Sequence, residues 1–154
     1  MQLAGTILQT PGIEGLTILG GEPFDQPEAL FELVSHIKAN SSLSIMLFSG
    51  YTWQQLEEKC PLFKDILLCT DIFIEGPFIK EKRDFTRPWA GSSNQSIHFL
   101  TSRYSPGDLQ HIPSKKVEIR IPRAGDITIN GMLPEEQLWG LYEDFLNIGS
   151  NGKK

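Results

Sequence analysis

The chain has no dense run of basic residues, and this removes a nucleic-acid footprint, because phosphate binding depends on clustered positive charge. Its 14 Lys and Arg are outnumbered by 19 Asp and Glu, for a net charge of -5. The pairs Lys115-Lys116 and Lys153-Lys154 are read as solvated charge. No segment approaches the ~20 apolar residues of a membrane span. Met1 to Thr10 lacks the basic start and apolar run of a signal peptide, so a soluble, cytoplasmic protein without a membrane partner is expected. Cysteine is scarce too. Cys60 and Cys69, both in apolar surroundings, are expected to be buried free thiols. His36, His98 and His111 show no metal or triad spacing and are read as structural, leaving no metal site and no catalytic residue to assign.

What remains supports one domain. With 154 residues and 40% hydrophobic content, the chain can bury roughly two-thirds of its unfolded surface. The expected division is a domain over residues 1–147 and a disordered tail over 148–154.

The most informative stretch runs from Gly15 to Pro27. Leu16, Ile18 and Leu19 have strand-forming bulk, and the strand stops on Gly20, Gly21 and Glu22, followed by Pro23. Pro27 opens a helix to Ala39, with Leu30, Leu33, Val34 and Ile37 on one face. The same unit recurs. Leu43 to Phe48 is an apolar strand ending on Ser49 and Gly50, and Thr52 with Gln55 forms a capping box for a short helix through Lys59. Leu62 to Leu68 reads as a helical turn, and Asp71 to Glu75 as a third strand ending in acid and glycine. Strands alternating with helices imply crossover connections and a mostly parallel sheet, with Gly20 to Glu22, Ser49 and Glu75 on one edge. That is the edge where ligands bind in such sheets.

The flanks are less regular. Met1 to Thr10 carries Leu3, Ile7 and Leu8 at helical spacing and stops at Pro11-Gly12. Residues 77–96 have little apolar periodicity and include Trp89 and the run Gly91-Ser92-Ser93-Asn94-Gln95, a loop expected to face a substrate or partner. Ile97 to Leu100 is a fourth strand, Val117 to Ile121 and Ile127 to Asn130 pair as a hairpin, and Pro134 opens a last helix ending near Gly149.

Two acids at a sheet edge suit an ammonium and ribose hydroxyls better than a phosphate, which prefers glycine-rich loops with lysine. Gly-Gly-Glu-Pro is also compatible with a plain tight turn. Glu75 is open between a ligand contact and a carboxylate that accepts backbone N–H bonds.

Several of these motifs together carry a resemblance. Gly20-Gly21-Glu22-Pro23, Ser49-Gly50-Tyr51-Thr52, Asp71 to Gly76 with Pro77-Phe78-Ile79, Pro88-Trp89 and Gly91 to Gln95 resemble the radical S-adenosylmethionine activases, nearest to the group that activates anaerobic ribonucleotide reductase. The resemblance spans about Leu3 to Leu100 and extends more weakly through the hairpin. It implies a partial (β/α) barrel, mostly parallel, with a C-terminal hairpin and helix. It implies that Gly20, Gly21, Glu22 and Pro23 hold the methionyl end of S-adenosylmethionine, with Ser49 and Glu75 near its ribose and carboxylate. In that family a 4Fe-4S cluster reduces the sulfonium, and the deoxyadenosyl radical takes hydrogen from a glycine of a partner glycyl radical enzyme. The family's cluster ligands, spaced Cys-x3-Cys-x2-Cys, have no counterpart in this chain, and neither Cys60 nor Cys69 matches them. Pro77, Ala90 and Ser96 stand where relatives can carry basic residues. The expectation is a family member lacking its amino-terminal part and not competent alone, or a non-catalytic remnant that binds a nucleoside or a protein.

Overall fold

The computed structural model describes residues 2–84, 86–111, 117–120, 128–131, 139–140 and 143. Helix α1 spans Gln2–Gln9 and runs into the Pro11-Gly12 turn, where Gly12 takes a φ of 74°. Its buried residue is Ala4, while Leu3 is exposed. The small methyl side chain lets α1 approach the rest of the fold closely; of the residues at helical spacing, Ile7 and Leu8 pack against the core.

Strand β1 (Gly15–Ile18) leads through a 3-10 turn (Pro23–Asp25) into helix α2 (Pro27–Asn40). Strand β2 (Ser44–Phe48) is followed by helices α3 (Trp53–Lys59) and α4 (Phe63–Leu68), then strand β3 (Ile72–Glu75) and strand β4 (Ser96–Phe99). The capping box opens α3 as read from sequence. Thr52 accepts from the Gln55 N–H, and the Gln55 side chain accepts from the Thr52 N–H. Both donors would otherwise be unpaired at the helix start.

The sheet order is β1-β2-β3-β4, with β1, β2 and β3 parallel and β4 antiparallel to β3. The architecture is α/β with a mixed, mostly parallel sheet. The pair Val117–Arg120 (β5) and Thr128–Gly131 (β6) forms the expected antiparallel hairpin as a separate two-stranded sheet. The last helix and the tail over 148–154 lie largely outside the described residues; Trp139, Gly140 and Glu143 are helical. Among the described residues, no helix is long and apolar enough to cross a membrane.

One face of the sheet carries Ile45, Leu47 and Phe73, and these meet Val34 and Ile37 of α2, Leu56 of α3, and Phe63 and Ile66 of α4 in a single core. All eight are under 3% exposed. Each such side chain contributes ~1.5–3 kcal/mol by leaving water. Pairing register places Met46 beside Ile72 and Phe48 beside Ile74 on the opposite face. Among the described residues between β3 and β4 there are a 3-10 turn at Lys80–Lys82 and an isolated bridge between Arg83 and Ser92, and Ala90 and Ser92 are buried.

Candidate functional site at the strand ends

Three parallel strands that stop in register bring their carboxyl ends together. The turn after β1 is anchored from below. Phe24 is buried with its ring edge-on to Phe63 and Phe73, at centroid distances of 5.7 and 5.9 Å. With Phe24 fixed in the core, the residue two positions earlier has little freedom. Glu22 Oε1 accepts the N–H of Phe24 at 3.1 Å and the Ser49 hydroxyl at 2.9 Å, and its Oε2 accepts the Gly50 N–H at 2.7 Å. Ser49 Oγ in turn accepts the Tyr51 N–H at 3.0 Å. One carboxylate therefore ties the ends of β1 and β2, and such charge-assisted bonds are the strong ones.

A cavity of about 240 Å³ opens here, lined by Gly21, Glu22, Pro23, Ser49, Gly50, Gly76, Phe78 and Gln95 with Leu19 and Phe48. Gly21 has a φ of 61° and Gly76 a φ of 102°, both strained for any residue with a Cβ. Nothing lies within 4 Å of where a Cβ on Gly20 or Gly21 would stand, so the main chain there is open to an approaching group. Gly20 borders a neighbouring groove with Leu3, Ile18 and Leu33 rather than the cavity itself.

Glu75 points elsewhere. Its carboxylate accepts the Trp53 N–H at 3.2 Å, at the first residue of α3, and lies 3.4 Å from His98 Nε2. The side chain is on the helical face of the sheet, and Gly76 takes its place in the cavity wall. A carboxylate at a helix start complements the local dipole. Accepting a backbone N–H is one of the two readings left open for Glu75, and a ligand contact is the other.

The Gly91 to Gln95 run divides in the same way. Gln95 reaches the cavity, and its Oε1 accepts the N–H groups of Gly91 and Ser92. Ser92 Oγ accepts the Ile79 N–H, Asn94 Nδ2 donates to Pro77 O, and the Ser93 N–H donates to Lys82 O. Trp89 belongs to a different cavity of about 340 Å³, near the other ends of the strands, with Glu14, Ser44, Met46 and Tyr104. Its φ of 66° is unusual for so large a side chain.

Two residues that sequence reading passed over organise this loop. Arg87 Nη2 donates to Ser92 O at 2.6 Å and Nη1 to Gln95 O at 3.0 Å, while Nε meets Asp84 Oδ2 at 3.2 Å. Hydrogen bonds from the Thr86 hydroxyl and N–H, with Arg87 beside it, hold the Asp84 carboxyl below its ordinary range. The i, i+3 spacing of Asp84 and Arg87 was the only available signal. Gly50 and Gly76 were visible as glycines at strand ends, but nothing in the sequence marked them as cavity walls.

The donor set for iron is a poor fit. Cys60 and Cys69 follow α3 and α4 at their C-caps, on the helical side of the sheet. Burial pushes both thiols up, away from the thiolate that a cluster needs. Among the described residues, no group of three or more His, Cys, Asp or Glu could hold a metal.

Comparison with known proteins meets the resemblance read from the motifs. The chain is 33% identical over 90 residues to the anaerobic ribonucleoside-triphosphate reductase-activating protein of Vibrio cholerae serotype O1, covering 56% of each chain. It is 33% identical over 88 residues to the protein of the same name from Haemophilus influenzae, covering 55% of each, and 27% identical over 90 residues to that of Escherichia coli K12, covering 56% of each. The chain thus matches about half the length of these curated relatives. No solved structure matches. The pattern of the 4Fe-4S single cluster domain matches residues 2–98, from α1 through the strand-end cavity to β4. With that whole span matched, this chain belongs to the 4Fe-4S single cluster domain family.

Proposed function

We propose that this chain is the S-adenosylmethionine-binding part of a radical S-adenosylmethionine activase. It would act in the cytoplasm on a glycyl radical enzyme such as anaerobic ribonucleotide reductase, and its sheet would be one sector of a partial (β/α) barrel. The observation that carries the reading is the Glu22 carboxylate, held by Ser49 and Gly50 at the ends of two parallel strands and beside open glycine main chain. Each carboxylate oxygen can accept more than one bond. Glu22 therefore keeps capacity for an ammonium group next to the exposed peptides of Gly20 and Gly21, with Pro23 closing the turn.

The cavity volume sets what is enclosed. About 240 Å³ is below the ~300–1,000 Å³ of typical ligand cavities. The amino-acid end of the ligand would sit inside, with the nucleoside along the open mouth beside Phe78. Ser49 would orient Glu22, and Glu75 would act from behind by holding the start of α3. The Gly91 to Gln95 loop would shape the approach of ligand or partner, while Trp89, in the cavity near the other ends of the strands, would stand apart from the ligand and face a partner. When bound, S-adenosylmethionine supplies the sulfonium on which the chemistry of this class depends. The residues of this chain bind and orient it; no step is assigned to a cluster, since Cys60 and Cys69 do not fit one.

Calorimetry of the chain with S-adenosylmethionine tests the proposal. Saturable heat is expected, weakened at least tenfold in Glu22→Gln. No heat at millimolar ligand would overturn it. A second reading, a non-catalytic module that binds a nucleoside or protein, is favoured by the cysteine positions. The DNA upstream separates the two: an in-frame Cys-x3-Cys-x2-Cys favours the activase, and a stop codon directly upstream favours the module.

A further inference from the structure

The side chain of Gln95 bridges two separate segments at the cavity. Its Oε1 accepts the Gly91 N–H at 2.8 Å and the Ser92 N–H at 3.2 Å, and its Nε2 donates to Gly76 O at 3.0 Å. The Gly76 N–H donates to Tyr51 O at 3.0 Å, so the peptides on both sides of Gly76 are held. Arg87 grips the main-chain carbonyls of Ser92 and Gln95. Gln95 cannot turn without breaking this set.

A glutamine amide offers two acceptor sites and two donor hydrogens. Both acceptor sites are used, but only one Nε2 hydrogen has a protein partner among the described residues. The same side chain lines the cavity that Glu22, Ser49 and Gly50 line. The Glu22 carboxylate, in the same lining, can only accept. An acceptor and a fixed donor on residues that line one small space match a group that carries both charges of an amino acid.

We infer that the second Nε2 hydrogen of Gln95 donates to the carboxylate of the ligand's amino-acid end, while Glu22 takes the ammonium. This assigns Gln95 as a ligand contact rather than a residue facing a partner, and it rests on the reading that the cavity takes S-adenosylmethionine. Gln95→Glu retains the acceptors for Gly91 and Ser92 but removes both donors and sets a carboxylate against a carboxylate.

The test is calorimetry of wild type and Gln95→Glu with S-adenosylmethionine, with its decarboxylated analogue and with methylthioadenosine, which lacks the whole amino-acid end. The expected result is at least a tenfold loss for S-adenosylmethionine in the variant and less than a threefold change for the other two. Equal losses for all three ligands would reduce Gln95 to a structural role and overturn the assignment, as would no loss for any. If the variant does not fold, wild type decides. Binding S-adenosylmethionine and its decarboxylated analogue equally well overturns the carboxylate contact, and a preference of tenfold or more upholds it. Wild type binding none of the three overturns the function proposed above and this assignment with it, an outcome distinct from loss of the carboxylate preference alone.

Discussion

Lys38 Nζ lies 2.7 Å from Asp71 Oδ2, joining the last turn of α2 to the residue that precedes β3. The same oxygen accepts the Ile45 N–H at 2.9 Å, and Oδ1 accepts the Thr101 hydroxyl at 2.8 Å. Asp71 is 3% exposed and Lys38 28%. A buried carboxylate without such partners would be costly, so this network sets the depth and register at which β3 enters the sheet.

The pH dependence follows from Asp71. Burial pushes its carboxyl up, but the bonds from Lys38, Ile45 and Thr101 and the lysine charge outweigh it and hold the group below its ordinary range. A carboxyl lowered on folding stabilises the fold above its unfolded pKa of ~4 and loses that contribution as pH falls through the folded value. Urea unfolding should therefore show flat stability from neutrality to about pH 5 and a decline below about pH 4. Asp71→Asn should cost ~3 kcal/mol at pH 7, the low end for a broken buried pair because Lys38 reaches water. It should also flatten the acid limb. An unchanged acid limb in that variant would assign the dependence to other carboxylates.

Gly15 at the start of β1 and Gly20 just past its end should respond differently to alanine. A Cβ on Gly15 would stand 2.0 Å from Ser44 Oγ and 2.6 Å from Ser44 O, and the second of these is main chain that cannot move aside. Gly15→Ala is expected to lower stability by ~1–3 kcal/mol, as overpacking does. Gly20→Ala meets nothing within 4 Å, so its thermal midpoint should stay within about 2 °C of wild type, a shift of under ~1 kcal/mol. If the exposed peptide there receives the ligand, Gly20→Ala should still weaken S-adenosylmethionine binding.

Arg87 should control the order of the 91–95 turn. Lysine keeps the charge but not the planar fork that reaches two carbonyls and Asp84 at once. Arg87→Lys should speed hydrogen exchange at the Gly91 and Ser92 amides while leaving that of β2 and β3 unchanged. Faster exchange throughout the sheet would show that the loop and the core open together.

The α3 cap gives a smaller effect. Thr52→Ala removes one side of the capping box and should cost ~1 kcal/mol. For a chain of this size that is a thermal midpoint shift of roughly 2–4 °C. Thr52→Ser should recover most of it.

Elements whose signals are local were legible. The helix from Pro27, the capping box at Thr52 and the apolar strands over Leu43–Phe48 and Asp71–Glu75 appear within two residues of their expected bounds. Leu3 and Trp89 show what local signals leave undecided. Apolar spacing on α1 could not tell that Ala4 would be the buried residue, because the approach of two helices depends on both surfaces. Trp89 lines the other cavity, a placement that depends on the path of the irregular segment between β3 and β4 and on no periodicity.

For the site, the amino-acid sequence by itself determined that Gly20 to Glu22, Ser49 and Glu75 end successive strands, since strand period and crossover handedness require it. It could not decide which way each side chain faces. Side chains alternate across a strand with a period of two, so one residue of difference sends Glu75 to α3 and His98 while Gly76 joins the cavity. Only the tertiary structure brought Gln95, 73 residues after Glu22 by their numbers, into the same cavity, because the contact depends on the path of an irregular loop held by Arg87 rather than on any periodicity.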